Sequence, residues 1–233
     1  MATSPTKKRL LLVGASRGLG LAIAEEYLNL GWHVVATARQ KAETALHDLA
    51  GKSRGQLDIE IVDITDPTQV SALHTRLASE LFDLLFVNAG VANAEETFTD
   101  VSTDEFVRVM VTNALSPMRF VEAFQDLVPP TGAIAIMSSG QGSVSNNENG
   151  GYEVYRASKA ALNTLMRSFA ARHRGDPRTL LLLAPGWVRT DMGGPKARLG
   201  VQDSIPNLVK VVEAQAGKSG LQYLDYLGRT VAW

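Results

Sequence analysis

Tyr155 and Lys159 are residues whose types and spacing suit proton transfer. They lie in the run GGYEVYRASKA, which is typical of the start of a helix. Residues four apart in a helix share one face and lie within side-chain reach. A phenol titrates near pH ~10 and a neighbouring ammonium group favours the phenolate, so the pair could give and take a proton near neutral pH. A tyrosine at the core edge beside a solvated lysine is the competing interpretation, and YxxxK alone favours it.

A glycine-rich loop, GASRGLG, lies between the first predicted strand and the first predicted helix. Gly14, Gly18 and Gly20 have the spacing G-x-x-x-G-x-G. Glycines accept a positive φ and let a pyrophosphate approach the backbone. The N-terminus of the following helix offers free N–H groups and a positive dipole end. A tight strand-to-helix turn is the alternative, but the position in the first β-α unit favours phosphate binding.

The elements that must position these groups alternate between strand and helix. Apolar runs predict six strands, and LQYLDY is a candidate for a last one; the six are RLLLVGA, HVVATAR, LDIEIVDIT, DLLFVNAG, GAIAIMSS and TLLLLAPG. Apolar strands separated by helices predict a parallel sheet covered on both faces. We therefore predict an α/β fold: a single-domain, Rossmann-like, doubly wound parallel sheet over residues 1–233. Ligands of such sheets bind at the carboxyl ends of the strands.

Composition narrows the classes of partner. Hydrophobic residues make up 45% and charged residues 20% of the chain, and the net charge is -1 with no long basic block. This argues against nucleic acid or an anionic membrane surface as the main partner. No run approaches the ~20 apolar residues of a membrane span. There is no cysteine, and the four histidines lack ligand spacing, so we predict no metal site and a cytoplasmic protein with a small-molecule ligand.

Motifs spread along nearly the whole chain resemble those of classical short-chain dehydrogenases/reductases. They are GASRGLG at 14–20, VDI at 62–64, NAG at 88–90, Asn113, SS at 138–139, YRASK at 155–159 and PGWVRTDM at 185–192. The runs YRASKAALN and YLDYLGRTVAW resemble the C-factor-like branch of that family. Val13 departs from the pattern, because the family often has a threonine there that makes a turn hydrogen bond. The resemblance implies an NAD(P)-dependent alcohol dehydrogenase or carbonyl reductase.

The resemblance implies roles for the YxxxK pair. Tyr155 would be the general acid in carbonyl reduction and the general base in alcohol oxidation. Lys159 would lower the pKa of the phenol and hold the nicotinamide ribose. Tyr152 is the rival phenol, but its i+4 partner is Arg156 and not the lysine of the motif.

Two further residues complete the implied catalytic set. Ser139, followed by GQG, matches the S-x-x-G pattern better than Ser138, and the resemblance implies that it polarises the substrate carbonyl. Ser138 is interpreted as a strand-end hydroxyl that satisfies backbone groups. Asn113 lies in a predicted helix interior, where its amide competes for backbone groups. The resemblance implies that it holds a water linked to the lysine; a local helix distortion is the structural alternative, and both can hold together.

Two arginines indicate which of the two nicotinamide cofactors is preferred. The second predicted strand ends in TARQ, with Arg39 and no carboxylate, and Arg17 lies in the glycine loop. An acidic residue there would bind a free ribose 2′-hydroxyl, whereas an arginine accommodates a 2′-phosphate, which guanidinium groups bind in bidentate fashion. We predict NADP(H) over NAD(H). Two solvated surface arginines are the alternative.

The remaining cofactor contacts follow from the resemblance. Asp63 would contact the adenine, and a plain turn residue is nearly as good an interpretation; Asn88 has a structural competitor too. Thr190 would reach the nicotinamide carboxamide, and the glycines and Pro195 beyond it suggest a mobile lid within 191–205. The full predicted set is Gly14, Ser16, Arg17, Gly18, Leu19, Gly20, Arg39, Asp63, Ile64, Asn88, Ala89, Gly90, Tyr155, Lys159, Pro185, Gly186, Val188 and Thr190.

A nucleotide-sensing or signalling protein of the same fold with little turnover is the alternative function, because fold does not establish catalysis. The set of Asn113, Ser139, Tyr155 and Lys159 favours an enzyme, since a sensor needs no proton donor. A hydrolase is disfavoured because SSG lacks a nucleophile elbow. The resemblance also implies a homodimer or homotetramer formed through the long helices.

Overall fold

The computed structural model describes residues 7–93 and 97–233. Seven strands form one parallel sheet in the order β3-β2-β1-β4-β5-β6-β7. The strands are β1 (Arg9–Val13), β2 (His33–Ala38), β3 (Leu57–Ile61), β4 (Leu84–Val87), β5 (Ala133–Met137), β6 (Thr179–Ala184) and β7 (Gly220–Asp225). The predicted fold class is confirmed, and LQYLDY does form a strand.

Seven α-helices cover the two faces of this sheet in the described part of the chain. They are α1 (Gly18–Asn29), α2 (Ala45–Lys52), α3 (Pro67–Leu77), α4 (Thr103–Met110), α5 (Ser116–Phe124), α6 (Glu153–Arg172) and α7 (Val201–Gln215). Leu11 and Val13 of β1 share a core with α3, α5 and α6. Leu10 and Leu12 share the other core with α1, α2 and α7. A strand that is buried on both faces must be apolar throughout, which explains the unbroken apolar runs.

The helical run that contains Asn113 is interrupted just before Pro117. A π-helical turn, Val111–Leu115, separates α4 from α5. A proline has no N–H to donate four residues back, and its ring clashes with that carbonyl, which belongs here to Asn113. In the residue before the proline, the Ser116 N–H bonds to the carbonyl of Val111, five residues back, and not to the carbonyl of Thr112, four residues back, as it would in an α-helix. The proline therefore displaces the distortion by one turn toward the N-terminus.

Strand order reverses between β1 and β4, which are neighbours in the sheet. Because the chain leaves β1 toward one sheet edge and β4 toward the other, the connections diverge and open a crevice at the carboxyl ends of the strands. Across residues 7–93 and 97–233, none of the helices has the length and apolar character that a bilayer crossing requires.

Candidate active site

The glycine loop, residues 14–20, is packed too tightly for side chains at two of its glycines. Gly14 has φ of 86°, and a Cβ on it would lie 2.8 Å from Ala89. A Cβ on Gly20 would overlap the carbonyl oxygen of Gly14. A Cβ on Gly18, by contrast, would come no closer than 3.8 Å to any atom. The loop is thus rigid underneath and open at the N-terminus of α1, as a backbone cradle for a pyrophosphate requires.

Two polar side chains fix this loop to the sheet. Thr37 of β2 accepts a hydrogen bond from the Gly14 N–H through its Oγ1 at 3.0 Å. This hydroxyl supplies a turn hydrogen bond that Val13 cannot make. Asn88 donates from Nδ2 to the Gly14 carbonyl at 2.7 Å. The geometry therefore favours the structural interpretation of Asn88.

The two arginines predicted to bind phosphate are exposed at the surface. Arg39 directly follows β2. Arg17 forms an ion pair with Asp191, with Nη1 and Oδ2 3.0 Å apart and with 78% and 79% of the two side chains exposed. Such an exposed pair contributes about 1 kcal/mol or less, so a phosphate dianion can replace the carboxylate.

The residues after β3, Asp63 and Ile64, offer the crevice little side-chain surface. Asp63 accepts hydrogen bonds from the Thr65 N–H at 2.9 Å and from the Thr65 hydroxyl at 2.7 Å. Its carboxylate thus shapes the turn, as the alternative interpretation has it. Ile64 is buried in the core against α3, so only its backbone faces the crevice edge.

Tyr155 and Lys159 lie on one face of α6, as their spacing predicts. The Lys159 Nζ is 5.9 Å from the centroid of the Tyr155 ring and donates to the Met137 carbonyl at 3.0 Å. Burial lowers the pKa of Lys159 to about 8. Burial raises the pKa of Tyr155; a hydrogen bond with Ser139 opposes this rise and the nearby Tyr223 adds to it.

That Lys159 lowers the pKa of Tyr155 stays a prediction, because desolvation is the largest influence on this phenol and raises its pKa. Lys159 is buried and Tyr155 is half-buried, and desolvation disfavours the charged form of each. The phenol is consequently protonated at neutral pH. That is the form a general acid needs.

Ser139 caps a short 3-10 turn, Gly140–Gly142, at the carboxyl end of β5. Its Oγ accepts from the Gln141 N–H at 3.2 Å. A Cβ on Gly142 would lie 2.9 Å from the Lys159 Cβ and from the Asn163 Nδ2. The glycine of S-x-x-G is thus the residue that lets the turn pack against α6 beside the lysine. Ser139 is brought to Tyr155 by this contact.

Asn113 lies inside the π-helical turn and joins two other segments. Its Nδ2 donates to the Val91 carbonyl at 2.8 Å and to the Ser158 Oγ at 3.0 Å. Its Oδ1 accepts from the Val91 N–H at 2.8 Å. The local helix distortion considered from the sequence is present. The water-holding role stays a prediction.

Gly90 completes the floor of the site, between Asn113 and the lysine. A Cβ on Gly90 would lie 3.3 Å from the Asn113 Oδ1 and 3.5 Å from the Lys159 Nζ. The NAG segment after β4 therefore runs directly beside the candidate catalytic residues. The predicted cofactor residues at the ends of β1 and β4 therefore share one crevice with the candidate catalytic residues.

The segment after β6 closes over the glycine loop. Thr190 lies above Gly18, its Cγ2 3.8 Å from the position of a Cβ there, and its Oγ1 accepts from the Gly193 N–H at 3.1 Å. Val188 pairs with Leu199 in an isolated bridge. Residues 201–205 already belong to α7, so any lid is confined to the residues before that helix.

Three residues of the site region receive no role from the sequence: Thr37, Asp191 and Tyr223, although the last two lie within runs that carry the family resemblance. Each acts on a residue distant in sequence. No group of three or more histidine, aspartate or glutamate side chains that could hold a metal occurs among residues 7–93 and 97–233.

Comparison with known proteins gives consistent results. A family model described as short chain dehydrogenase matches residues 8–198. A solved short-chain dehydrogenase/reductase of Burkholderia multivorans with bound NADP superposes with a TM-score of 0.96 at 56% identity, covering 97% of this chain and 100% of that one. A carbonyl reductase of Pseudomonas aeruginosa PAO1 in complex with NADP has a TM-score of 0.91 at 34% identity, covering 98% and 100%. The C-signal of Myxococcus xanthus is 36% identical over 167 residues, 70% of this chain and 99% of that protein.

Proposed function

We propose that this chain, which belongs to the classical short-chain dehydrogenase/reductase family and to its C-factor-like branch, is an NADP(H)-dependent carbonyl reductase or alcohol dehydrogenase. Family membership gives an oxidoreductase. The observation that carries the finer proposal is the convergence of Ser139, Tyr155 and Lys159 beside the glycine loop. We propose that the chain acts as one dinucleotide-binding domain.

The mechanism follows from the chemistry of these residues. The nicotinamide, when bound, supplies or accepts the hydride. In the reducing direction, the Ser139 hydroxyl polarises the substrate carbonyl and Tyr155, protonated because its pKa is raised, donates a proton to the carbonyl oxygen. Lys159, buried beside Gly90, is positioned to hold the ribose. General acid-base catalysis of this kind contributes ~10²–10⁴-fold.

NADP(H) is proposed as the preferred cofactor. Arg17 and Arg39 are exposed cations at the ends of β1 and β2, where the adenosine ribose of such folds lies. The two solved relatives carry NADP. With the nicotinamide as hydride donor or acceptor and Tyr155 as proton donor, the proposed reaction does not require a metal ion.

A signalling role is the second candidate function. The observation in its favour is 36% identity to a protein named C-signal. A complete set of Ser139, Tyr155 and Lys159 favours turnover, because nucleotide sensing needs no proton donor. The activity measurement below separates the two.

Assembly and location remain proposals. A surface groove beside α5 and α6 has an apolar part formed by Leu115, Met118, Ala123 and Leu165 and a polar part formed by Arg119, Glu122, Ser168 and Arg172. We propose that a homodimer or homotetramer covers it. A cytoplasmic location stays a prediction from the cysteine-free sequence.

The test is reduction of a panel of aldehydes and ketones with NADPH, followed by the cofactor's absorbance. The panel should include aromatic members, because the exposed side chains of Val144, Tyr152, Trp187 and Met192 lie in the segments after β5 and β6. Tyr155→Phe should lower kcat by ~10²-fold or more and leave the dissociation constant of NADPH, measured by titration, within about twofold (~0.4 kcal/mol). Tyr226→Phe is the matched control. Wild-type rates in Tyr155→Phe would remove Tyr155 from the mechanism.

A further inference from the structure

We propose that Tyr223 is a positioning residue that holds Ser139 and its turn in place for proton transfer. This inference rests on the proposed function, since it concerns the same site. Tyr223 belongs to β7, at the edge of the sheet, whereas Ser139 follows β5. The two strands are separated by β6, so any contact between them is a tertiary link across a whole strand.

The link is a direct hydrogen bond. The buried Tyr223 hydroxyl donates to the backbone carbonyl of Ser139. That carbonyl also accepts the Gly142 N–H at 2.9 Å, which closes the 3-10 turn. Tyr223 therefore binds the residue from which the turn begins, next to the hydroxyl that meets Tyr155.

The same phenol belongs to a buried polar cluster beneath the turn. Ser138 donates from Oγ to the Asn163 Oδ1 at 2.6 Å, and Asn163 donates from Nδ2 to the Gly142 carbonyl at 3.1 Å. Burial raises the pKa of Tyr223, and both side chains, which lie close to its hydroxyl, oppose this rise. The beginning and the end of the turn are thus held by one network. Removing a member leaves buried polar partners unsatisfied.

The segment after β7 extends this support to the substrate side. The Val231 N–H bonds to the Tyr223 carbonyl at 2.9 Å, and the Trp233 ring lies 5.4 Å from the Tyr223 ring. The Trp233 carbonyl accepts from the Ser145 N–H at 3.0 Å and from its hydroxyl at 2.6 Å. Residues 220–233 therefore hold the chain after β5 at two points, on either side of the turn.

Such support matters because proton transfer tolerates little displacement. A shift of ~1 Å in a reacting group can cost ~10²-fold in rate. Ser139 has its own carbonyl fixed by Tyr223 and its hydroxyl set against Tyr155. Loss of the Tyr223 hydroxyl frees one end of the residue and should produce part of that cost.

The first experiment compares Tyr223→Phe with the control Tyr27→Phe. Tyr27 is also a buried phenol packed against a tryptophan, with ring centroids 4.8 Å apart, but it lies in the core on the other face of the sheet. We expect Tyr223→Phe to lower kcat by about tenfold, with the dissociation constant of NADPH no further from wild type than in the control. The melting temperature of Tyr223→Phe should fall somewhat below that of the control, because the Ser139 carbonyl loses a buried donor. Equal kcat in wild type and Tyr223→Phe overturns the proposal. So does a loss of kcat accompanied by matching losses of NADPH affinity and stability, because that is a purely structural effect.

The second experiment reads the turn directly and needs no turnover. Amide hydrogen exchange of residues 140–146 should be faster in Tyr223→Phe than in wild type or Tyr27→Phe, because the Gly142 N–H loses a fixed acceptor. Unchanged exchange overturns the proposal. If Tyr223→Phe exchanges faster but the wild-type protein reduces no carbonyl, the positioning of the turn by Tyr223 is supported and only the proposed function fails.

Discussion

At the scale of single residues, burial decides the protonation of the candidate catalytic pair. Tyr155 and Lys159 are both desolvated, and each is driven toward its neutral form. The lysine is stabilised by one fixed acceptor, the Met137 carbonyl. A buried amine with one protein acceptor is poorly compensated, so we expect this residue to cost stability.

Lys159→Met should therefore stabilise the protein and abolish most turnover. The folded-state pKa of about 8 lies below the ordinary 10.5, so the unfolded chain binds more protons between those values. The stability cost of Lys159 is full below pH about 8 and is relieved as the pH rises toward ~10.5. We expect the free energy of unfolding at neutral pH to rise on the order of 1–3 kcal/mol. The gain should shrink with increasing pH.

Urea unfolding at several pH values measures the free energy of unfolding of Lys159→Met. The control is Lys210→Met, on the exposed side of α7. Lys210→Met should leave stability unchanged. A Lys159→Met protein less stable than wild type across the whole pH range would contradict the argument.

Arg39 should set the cofactor preference. In Arg39→Asp, the carboxylate repels a ribose 2′-phosphate and can accept a hydrogen bond from a free 2′-hydroxyl. We expect the ratio of kcat/KM for NADPH to that for NADH to reverse. Arg174→Asp makes the same change of charge on an exposed arginine at the amino end of β6 and should leave the ratio alone. An unchanged ratio in Arg39→Asp would count against the NADP(H) assignment.

At the scale of elements, local patterns predicted most of the fold. The inner strands β1, β2, β4, β5 and β6 are predictable because both faces of each are buried, which demands continuous apolar runs. The two edge strands carry polar residues: β3 alternates apolar and charged residues in LDIEI, and β7 has the half-buried Gln222 beside Tyr223, which left β7 only a candidate. The break between α4 and α5 lies before Pro117 and not at it, because a proline acts on the carbonyl four residues before it.

The candidate site was predictable only where its residues belong to one motif. The YxxxK pair and the S-x-x-G turn are local, so spacing alone brings their residues to one face or one turn. Thr37, Asp191 and Tyr223 reach partners 23, 174 and 84 residues away in the chain. No short pattern encodes such pairs, because they exist only once the strands are ordered in the sheet.

At the scale of the whole molecule, the candidate active site and the surface proposed for assembly lie in different places. The crevice lies at the carboxyl ends of the strands, whereas the groove lies on the outward side of α5 and α6. Leu115 and Leu165 are 38% and 39% exposed there. The groove is flanked by an ion pair between Glu122 and Arg172, so an apolar centre is bordered by charges, as in a protein interface.

Leu165→Glu should therefore dissociate the proposed homo-oligomer. A carboxylate in the apolar part of the groove would have to be desolvated in the assembled state, at a cost that exposed monomers avoid. Multi-angle light scattering should give a wild-type mass of two or four times the 25.1 kDa chain and a shift of Leu165→Glu toward one chain. Leu30→Glu, at a position 55% exposed beyond α1, should keep the wild-type mass. A monomeric wild type would contradict the assembly itself, and an unshifted Leu165→Glu mass would place the interface on another face.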